Sequence, residues 1–250
     1  MKIGAQFYTI RDFCKDTAGL AESLKRVADI GYKTVQISGT CEYDAAWLKA
    51  ELDKNGLECV LTHTPADKLT GDISKVITDH DTLGAKYVGL GWFGFDPEKE
   101  GQTVENFISI YRPVAEALKK GGKYFMYHNH DGEFRKCGSR IVLKALAEEM
   151  PADLMGFTLD TFWVQAGGGD PAQWLEILKG RVPCIHLKDF EFGRKMAVIG
   201  EGNINFDRVF EKAEAAGTGY MLVEQDDCNG EDPFDCLKRS YEYLKSRGFE

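Results

Sequence analysis

The sequence has no stretch approaching the roughly 20 consecutive apolar residues of a spanning helix. Its first residues, MKIGAQFYTIRDF, carry charge too early, and too short an apolar run, for a secretory leader. Basic runs are missing too: none exceeds two residues, as at Lys25-Arg26 and Lys119-Lys120. With 31 Lys and Arg against 40 Asp and Glu, the formal charge is −9. Phosphate contacts supply much of the affinity of a nucleic-acid binder. This balance therefore argues against DNA, RNA or an anionic membrane as partner and leaves neutral sugars open. The 7 cysteines are odd in number, and no two stand in a CxxC spacing. That argues against a disulfide scaffold or a cysteine zinc site. A reducing, cytoplasmic setting is the expectation. GLGWFGF and AGGGDP are glycine-rich, but neither forms GxGxxG at a first strand-to-helix turn, so no nucleotide cofactor is expected. AGGGDPAQW reads instead as a loop with Asp170 capping a helix that starts at Pro171.

What the sequence does have is a rhythm. ADIGYKTVQISG, DKNGLECVLTHT, DTLGAKYVGLGW, KKGGKYFMYHNHD, LKGRVPCIHLKD and AAGTGYMLVEQD each end a helical pattern at Gly and continue as a short apolar run. Gly past the last periodic residue is a helix C-cap signal. The apolar run after it reads as a strand buried on both faces. KIGAQFYT and LMGFTLDT add two more. Strands are thus expected near 2–8, 33–38, 57–63, 86–91, 123–129, 155–160, 182–187 and 219–224. Leu20, Leu24 and Val27, or Ile108, Tyr111, Ala115 and Leu118, have the three-and-four spacing of one helix face. Alternating strand and helix implies a parallel sheet. Eight such units in 250 residues, 43% of them hydrophobic, fit a single (β/α)8 TIM barrel over residues 1–250, with an open doubly wound sheet as the alternative.

Active sites of such barrels form at the C-terminal strand ends. There the sequence places His63, His128-Asn129-His130, Asp160, His186 with Lys188 and Asp189, and Glu224 with Asp226. Four of the 5 histidines fall at strand ends; His80 lies on a helix. Asp160, His186 and Glu224 close three successive strands and converge near the axis. Crowded buried charges need a cation or protons to balance them. Carboxylate oxygens with an imidazole suit a divalent metal ion, Mn²⁺ foremost, with Mg²⁺, Co²⁺ or Zn²⁺ fitting the same donors. The fourth ligand is open between His128 and Glu133.

IGAQFYTIRD, YHNHDGEF, LDTFWVQAGG, HLKD, GEGNINF and LVEQD together resemble the sugar isomerase/epimerase superfamily with a xylose-isomerase-like TIM barrel, which also holds endonuclease IV. The resemblance covers essentially the whole chain. LDTFW is similar to the LDTFH of ketose 3-epimerases, and HLKD to their HLGE. It implies a metal site of Glu, Asp, His and Glu from strands five to eight. Asp160, His186 and Glu224 match the last three. At strand five His128 stands where the epimerases carry Glu, which points to an HNH-containing branch. Either His128 is the ligand or Glu133 swings in from the loop; Glu133 is favoured because its carboxylate restores the family charge. Trp163 stands where the epimerases carry His.

The implied reaction is isomerisation or epimerisation of a sugar or keto-sugar. A divalent ion would stabilise an enediolate while Glu224 moves the proton, with His128 or His130 serving on the opposite side. The alternative is a lyase, dehydratase or deglycosylating enzyme on a 3-keto-sugar or inosose. A phosphodiesterase on abasic DNA would need more histidines and a basic surface. A non-catalytic binding protein is argued against by the intact Asp160, His186 and Glu224 set. Gln6, Tyr8, His63, Trp92, Trp163, Lys188 and Glu201 are the candidate substrate contacts: rings to stack on sugar faces, polar groups for hydroxyls, and a glycine-flanked loop able to approach closely. Cys228 has no adjacent base and reads as structural. Aromatic residues at strand ends leave room for a homo-oligomer or partner subunit at the pocket.

Overall fold

The computed structural model describes residues 1–250. Eight parallel strands close into a barrel: β1 (Lys2–Gln6), β2 (Thr34–Ile37), β3 (Glu58–His63), β4 (Tyr87–Leu90), β5 (Tyr124–His128), β6 (Met155–Asp160), β7 (Cys184–Leu187) and β8 (Tyr220–Val223). Neighbours in sequence are neighbours in the sheet, and β8 closes on β1 with Lys2 beside Tyr220. The expected (β/α)8 barrel is present, every strand within two residues of its expected bounds. Eight helices wrap it: α1 (Thr17–Ile30), α2 (Ala45–Lys54), α3 (Ile73–Leu83), α4 (Val104–Lys120), α5 (Val142–Glu149), α6 (Pro171–Ile177), α7 (Phe206–Ala216) and α8 (Pro233–Ser246). None of the helices is long and apolar enough to cross a membrane.

The helices begin and end where the sequence says. Asp16, Asp44 and Asp232 each turn a carboxylate back onto an early backbone N–H, satisfying a donor the helix itself leaves open. Asp170 does the same for α6. α3 and α7 stop at Gly84 and Gly217, with φ of 71° and 83°, a left-handed conformation that costs glycine little. The apolar faces of the helices pack on the outside of the barrel, and that layer is the main core. Inside the barrel Leu61, Met126, Cys184 and Leu222 form a smaller cluster. Side chains alternate along a strand, so the residues two positions beyond Met126, Thr158, Cys184 and Leu222 face inward one layer higher. Those residues are His128, Asp160, His186 and Glu224.

Two expectations fail locally. β1 stops at Gln6, not at residue 8, because the Gln6 side chain accepts the Tyr8 N–H and turns Phe7–Phe13 into a 3₁₀ helix. Tyr8 therefore does not alternate inward with Gln6. Two hairpins stand on the C-terminal rim as well, Asp189–Glu191 with Lys195–Ala197 and Lys136–Cys137 with Arg140–Ile141. Such short insertions carry no periodicity to read.

Candidate active site

His128, Asp160, His186 and Glu224 each offer one donor atom, and the four atoms lie within 4.8 Å of one another. All four side chains are buried. The sheet sets this up: the β6–β7 register puts Asp160 beside His186. Asp160 is also a cap, its Oδ1 accepting the Trp163 N–H at 2.9 Å. Its Oδ2 is left facing His128 Nε2 at 3.1 Å and His186 Nδ1 at 3.7 Å. His186 Nδ1 is 2.8 Å from Glu224 Oε2. Gln6 Nε2 donates to the other Glu224 oxygen at 2.6 Å.

Tautomers make this cluster informative. His128 Nδ1 sits 3.0 Å from the Gly91 carbonyl, which only accepts, so Nδ1 carries the proton. His186 Nε2 likewise donates to Gln36 Oε1 at 2.6 Å. Burial holds His128 below the ordinary imidazole range, hence neutral. The neutral His128 ring then aims its Nε2 lone pair at Asp160 Oδ2, while His186 Nδ1 faces Glu224 Oε2, where the carboxylates favour a proton or a cation. His186 Nδ1 has no hydrogen-bond partner although fully buried, and Glu224 Oε2 meets the Lys188 ammonium at 2.9 Å. Two acceptors face to face repel unless a cation or proton lies between them. A histidine whose second nitrogen is fixed by a carbonyl is how proteins orient metal-binding imidazoles.

Charge points the same way. Lys188 Nζ is 3.2 Å from Asp160 Oδ2, 2.9 Å from Glu224 Oε2 and 2.8 Å from Asp226 Oδ2, with its side chain 1% exposed. With Asp160 and Glu224 ionised, one ammonium does not offset the carboxylates around it. Burial would raise Asp160 and Glu224, but the Lys188 ammonium and the neighbouring rings hold both well below the usual carboxylate range. Asp226, the outermost, is pushed up to about 7 by burial and by Glu224. Burial alone would lower His186, but Glu224 and Asp160 raise it. The donor set and its charge therefore fit one divalent ion held by His128, Asp160, His186 and Glu224.

The xylose isomerase-like TIM barrel family matches residues 24–247. The chain belongs to that family. An inosose dehydratase of Geobacillus kaustophilus is 24% identical over 266 residues, covering 88% of this chain and 85% of that one. A sugar phosphate isomerase/epimerase of Parabacteroides distasonis superposes with a TM-score of 0.81 at 21% identity, over 98% of this chain and 97% of that one. A probable 3-DHS dehydratase of Bacillus anthracis gives 0.78 at 14% identity, over 99% of this chain and 100% of that one. The relatives thus span isomerases, epimerases and dehydratases on one barrel.

Above the cluster opens a cavity of about 810 Å³, walled by Tyr8, His63, Trp92, His130, Trp163 and Lys188 among others. His63 takes Ser38 Oγ at Nδ1, 3.0 Å away, and leaves a buried Nε2 without a partner. Trp163 Nε1 and His130 Nδ1 are likewise buried and unpartnered. Burial first, then His128, pushes His130 down to about 3, so its ring is neutral. Trp92 is 65% exposed at the rim. Lys188 is no solvated surface residue but the cation among the carboxylates. Gln6 braces Glu224 from inside the barrel and is not part of the cavity wall.

Glu133 and Glu201 lie elsewhere. Glu133 is buried, its carboxylate bonded by the Tyr127 hydroxyl and by the His130 N–H at 3.0 Å. The short 3₁₀ turn Asp131–Phe134 curls its side chain under the rim, so His128, not Glu133, stands in the four-donor group. Glu201 faces outward, paired with Arg239 at 3.0 Å. The cause is Asp189, whose carboxylate accepts the N–H groups of Phe190, Gly200, Gly202 and Ile204 at 2.8–3.1 Å. Gathering those amides folds the GEGNI loop around Asp189 and leaves the Glu201 side chain outside. Sequence reasoning missed Arg11 and Ser38 in the cavity wall. Ser38 stands at the end of the second strand as a lone hydroxyl, and Arg11 lies beyond the first strand in the 3₁₀ segment.

Proposed function

We propose that the chain is a divalent-metal-dependent isomerase or epimerase of a sugar or keto-sugar, of an HNH-containing branch, with His128, Asp160, His186 and Glu224 as metal ligands. The observation that carries the reading is the buried group of four donors within 4.8 Å, in which the neutral His128 ring aims a lone pair at Asp160 that a cation resolves. A bound divalent ion supplies positive charge to the oxygens of a sugar beside a carbonyl. Mn²⁺ is the favoured ion. The protein's own groups do the rest. Glu224, fixed at one oxygen by Gln6 and held ionised beside Lys188, removes or returns the proton at the carbon next to that carbonyl. His130 is neutral and within 4.6 Å of the His128 ring, centre to centre, and serves the opposite face of the substrate. Lys188 offsets negative charge developing on substrate oxygens. His63 Nε2 and Trp163 Nε1 bind hydroxyls, and Tyr8, Trp92 and Trp163 stack on sugar faces. The protein works in the cytoplasm, with a small sugar rather than nucleic acid or membrane as its partner, and a second copy of itself or a partner subunit at the pocket.

A second reading, loss of water or of a glycosyl oxygen from a keto-sugar or inosose, is favoured by the relative named inosose dehydratase. The test is elemental analysis of protein purified without chelator, for the parent, Asp160→Asn and Glu224→Gln. About one ion per chain in the parent, and loss in both variants, is expected. Sugars incubated in D₂O then separate the reactions: deuterium uptake without loss of water marks an isomerase or epimerase, and a new enone absorbance marks the dehydratase. A parent that takes up no metal after incubation with Mn²⁺ ends both readings.

A further inference from the structure

We propose that Arg11 forms a subsite for an anionic group, carboxylate or phosphate, on the substrate. The proposal rests on the sugar-site reading above and specifies the substrate class further.

Arg11 is the arginine in the wall of the cavity. Its guanidinium spends two donors on neutral carbonyls, Nη1 on Tyr8 O at 2.7 Å and Nη2 on Asp226 O at 3.0 Å. A guanidinium has five N–H donors in a planar fork, so three remain. Arg11 takes part in no ion pair, in a chain where 40 acidic residues outnumber 31 basic ones. Arg140, Arg194, Arg208, Arg239 and Arg247 all hold carboxylates, and Arg26, Arg112 and Arg181, which hold none, lie outside this cavity wall. Lys188, the other cation in the wall, has its charge matched by Asp160, Glu224 and Asp226. Arg11 is therefore the cation in the wall left for a ligand.

The group is also held in place. Tyr8 and Arg11 flank a kink at Ile10 within Phe7–Phe13, and the guanidinium lies 4.3 Å from the centre of the Tyr8 ring. Gly39, with φ of 67°, presses on the pair from the loop after β2. A Cβ built there would be 2.6 Å from Tyr8 Cδ2 and 3.3 Å from Arg11 Cβ. A fork stacked on one side and pinned through two carbonyls loses little freedom on binding an anion, and bidentate pairing with a carboxylate or phosphate follows from its geometry. The bond to the Asp226 backbone puts this subsite one residue from the carboxylate–lysine group. One end of a sugar would face that group while an acidic end meets Arg11.

The test uses three probes that differ at one carbon: D-glucose, D-glucuronate and D-glucose 6-phosphate. Binding is measured by calorimetry to the parent and to Arg11→Gln, before and after chelator treatment, so that metal chelation by a probe is separated from the subsite. At least one anion should bind about ten- to a hundredfold more tightly than glucose, as one to two charge-assisted bonds would give. Arg11→Gln should bring that anion to within about twofold of glucose and leave glucose itself unchanged. The tighter anion identifies the acidic group. Anions that bind no better than glucose, or fail to bind at all, overturn the proposal. So does an Arg11→Gln loss shared equally by glucose, which would make Arg11 only a brace for the Asp226 loop. Metal uptake decides the enzymatic reading separately, so either can fail while the other stands.

Discussion

Glu133 allows a sharp thermodynamic test. Its side chain is buried on a residue 1% exposed, and burial pushes the carboxyl from 4.5 up to about 7 despite bonds from the Tyr127 hydroxyl and the His130 N–H. An acid with a raised folded pKa binds more protons folded than unfolded between those two values. Stability therefore falls as pH rises from about 4.5 to about 7, and levels off above. At about 1.4 kcal/mol per pH unit the total is roughly 3 kcal/mol, of which about 2.5 kcal/mol lies between pH 5 and pH 8. Glu133→Gln keeps the volume and is neutral at every pH. Its amide meets one of the two donors the wrong way round, a loss of about 1 kcal/mol that does not depend on pH. The variant should thus be slightly less stable than the parent at pH 5 and more stable at pH 8. Urea unfolding of both proteins at several pH values measures this directly, since every other titrating group cancels in the difference. Two parallel stability profiles would refute the reasoning.

The same variant addresses the fourth donor: Glu133→Gln should retain metal, whereas His128→Leu should lose most of it, both read by elemental analysis. Asp189→Asn turns an amide toward the Gly200 and Gly202 N–H groups. Each broken bond to a charged acceptor is worth about 1.5–3 kcal/mol, so a loss of about 3 kcal/mol in urea unfolding is expected, with faster proteolysis between residues 198 and 204. Glu201→Gln removes only an exposed pairing with Arg239 and should change stability by less than about 1 kcal/mol, with sugar binding unaltered in calorimetry.

The barrel was legible because its signals are local and repeat. A helix face at three-and-four spacing, a stop at glycine and a doubly buried strand recur along the chain, and each one constrains the next. Strand ends were legible for the same reason: in a closed parallel barrel, alternation alone decides which side chain points inward. That places His128, Asp160, His186, Glu224 and, two residues later, Lys188 and Asp226. Legibility stops where the strand does. At Gln6 the side chain bonds the Tyr8 amide and replaces the strand's period of two by a 3₁₀ turn. At Asp131–Phe134 a single turn decides whether Glu133 meets the axis or Tyr127. The charge argument for Glu133 was sound as far as it went, since the cluster does carry excess negative charge. It failed because Asp226 and Lys188 already set that charge and because the turn curls the other way.

A donor set names a metal site only when its protons are accounted for. Strand ends alone would place two imidazoles and two carboxylates together, and such a group can also be satisfied as ordinary hydrogen-bonded pairs. Here the partners outside the cluster decide. The Gly91 carbonyl after β4 and the Gln36 amide oxygen on β2 each take the proton from the far nitrogen of a histidine. Burial keeps the His128 ring from taking up a second. The His128 lone pair is thereby turned on Asp160, and His186 Nδ1 on Glu224, a contact that a proton or a cation completes. The residues that settle the chemistry of the mouth are thus a loop carbonyl with no side-chain signature and a glutamine on a distant strand. A change at Gln36 should weaken metal binding without touching any of the four donors. Gln36→Leu, which leaves His186 Nε2 without an acceptor and frees the ring to carry its proton on Nδ1, should lower the affinity about tenfold or more in a metal titration, as loss of an outer partner does at other histidine sites. An unchanged affinity would mean that His186 is oriented by something other than Gln36, and the tautomer argument for the metal would lose one of its two supports.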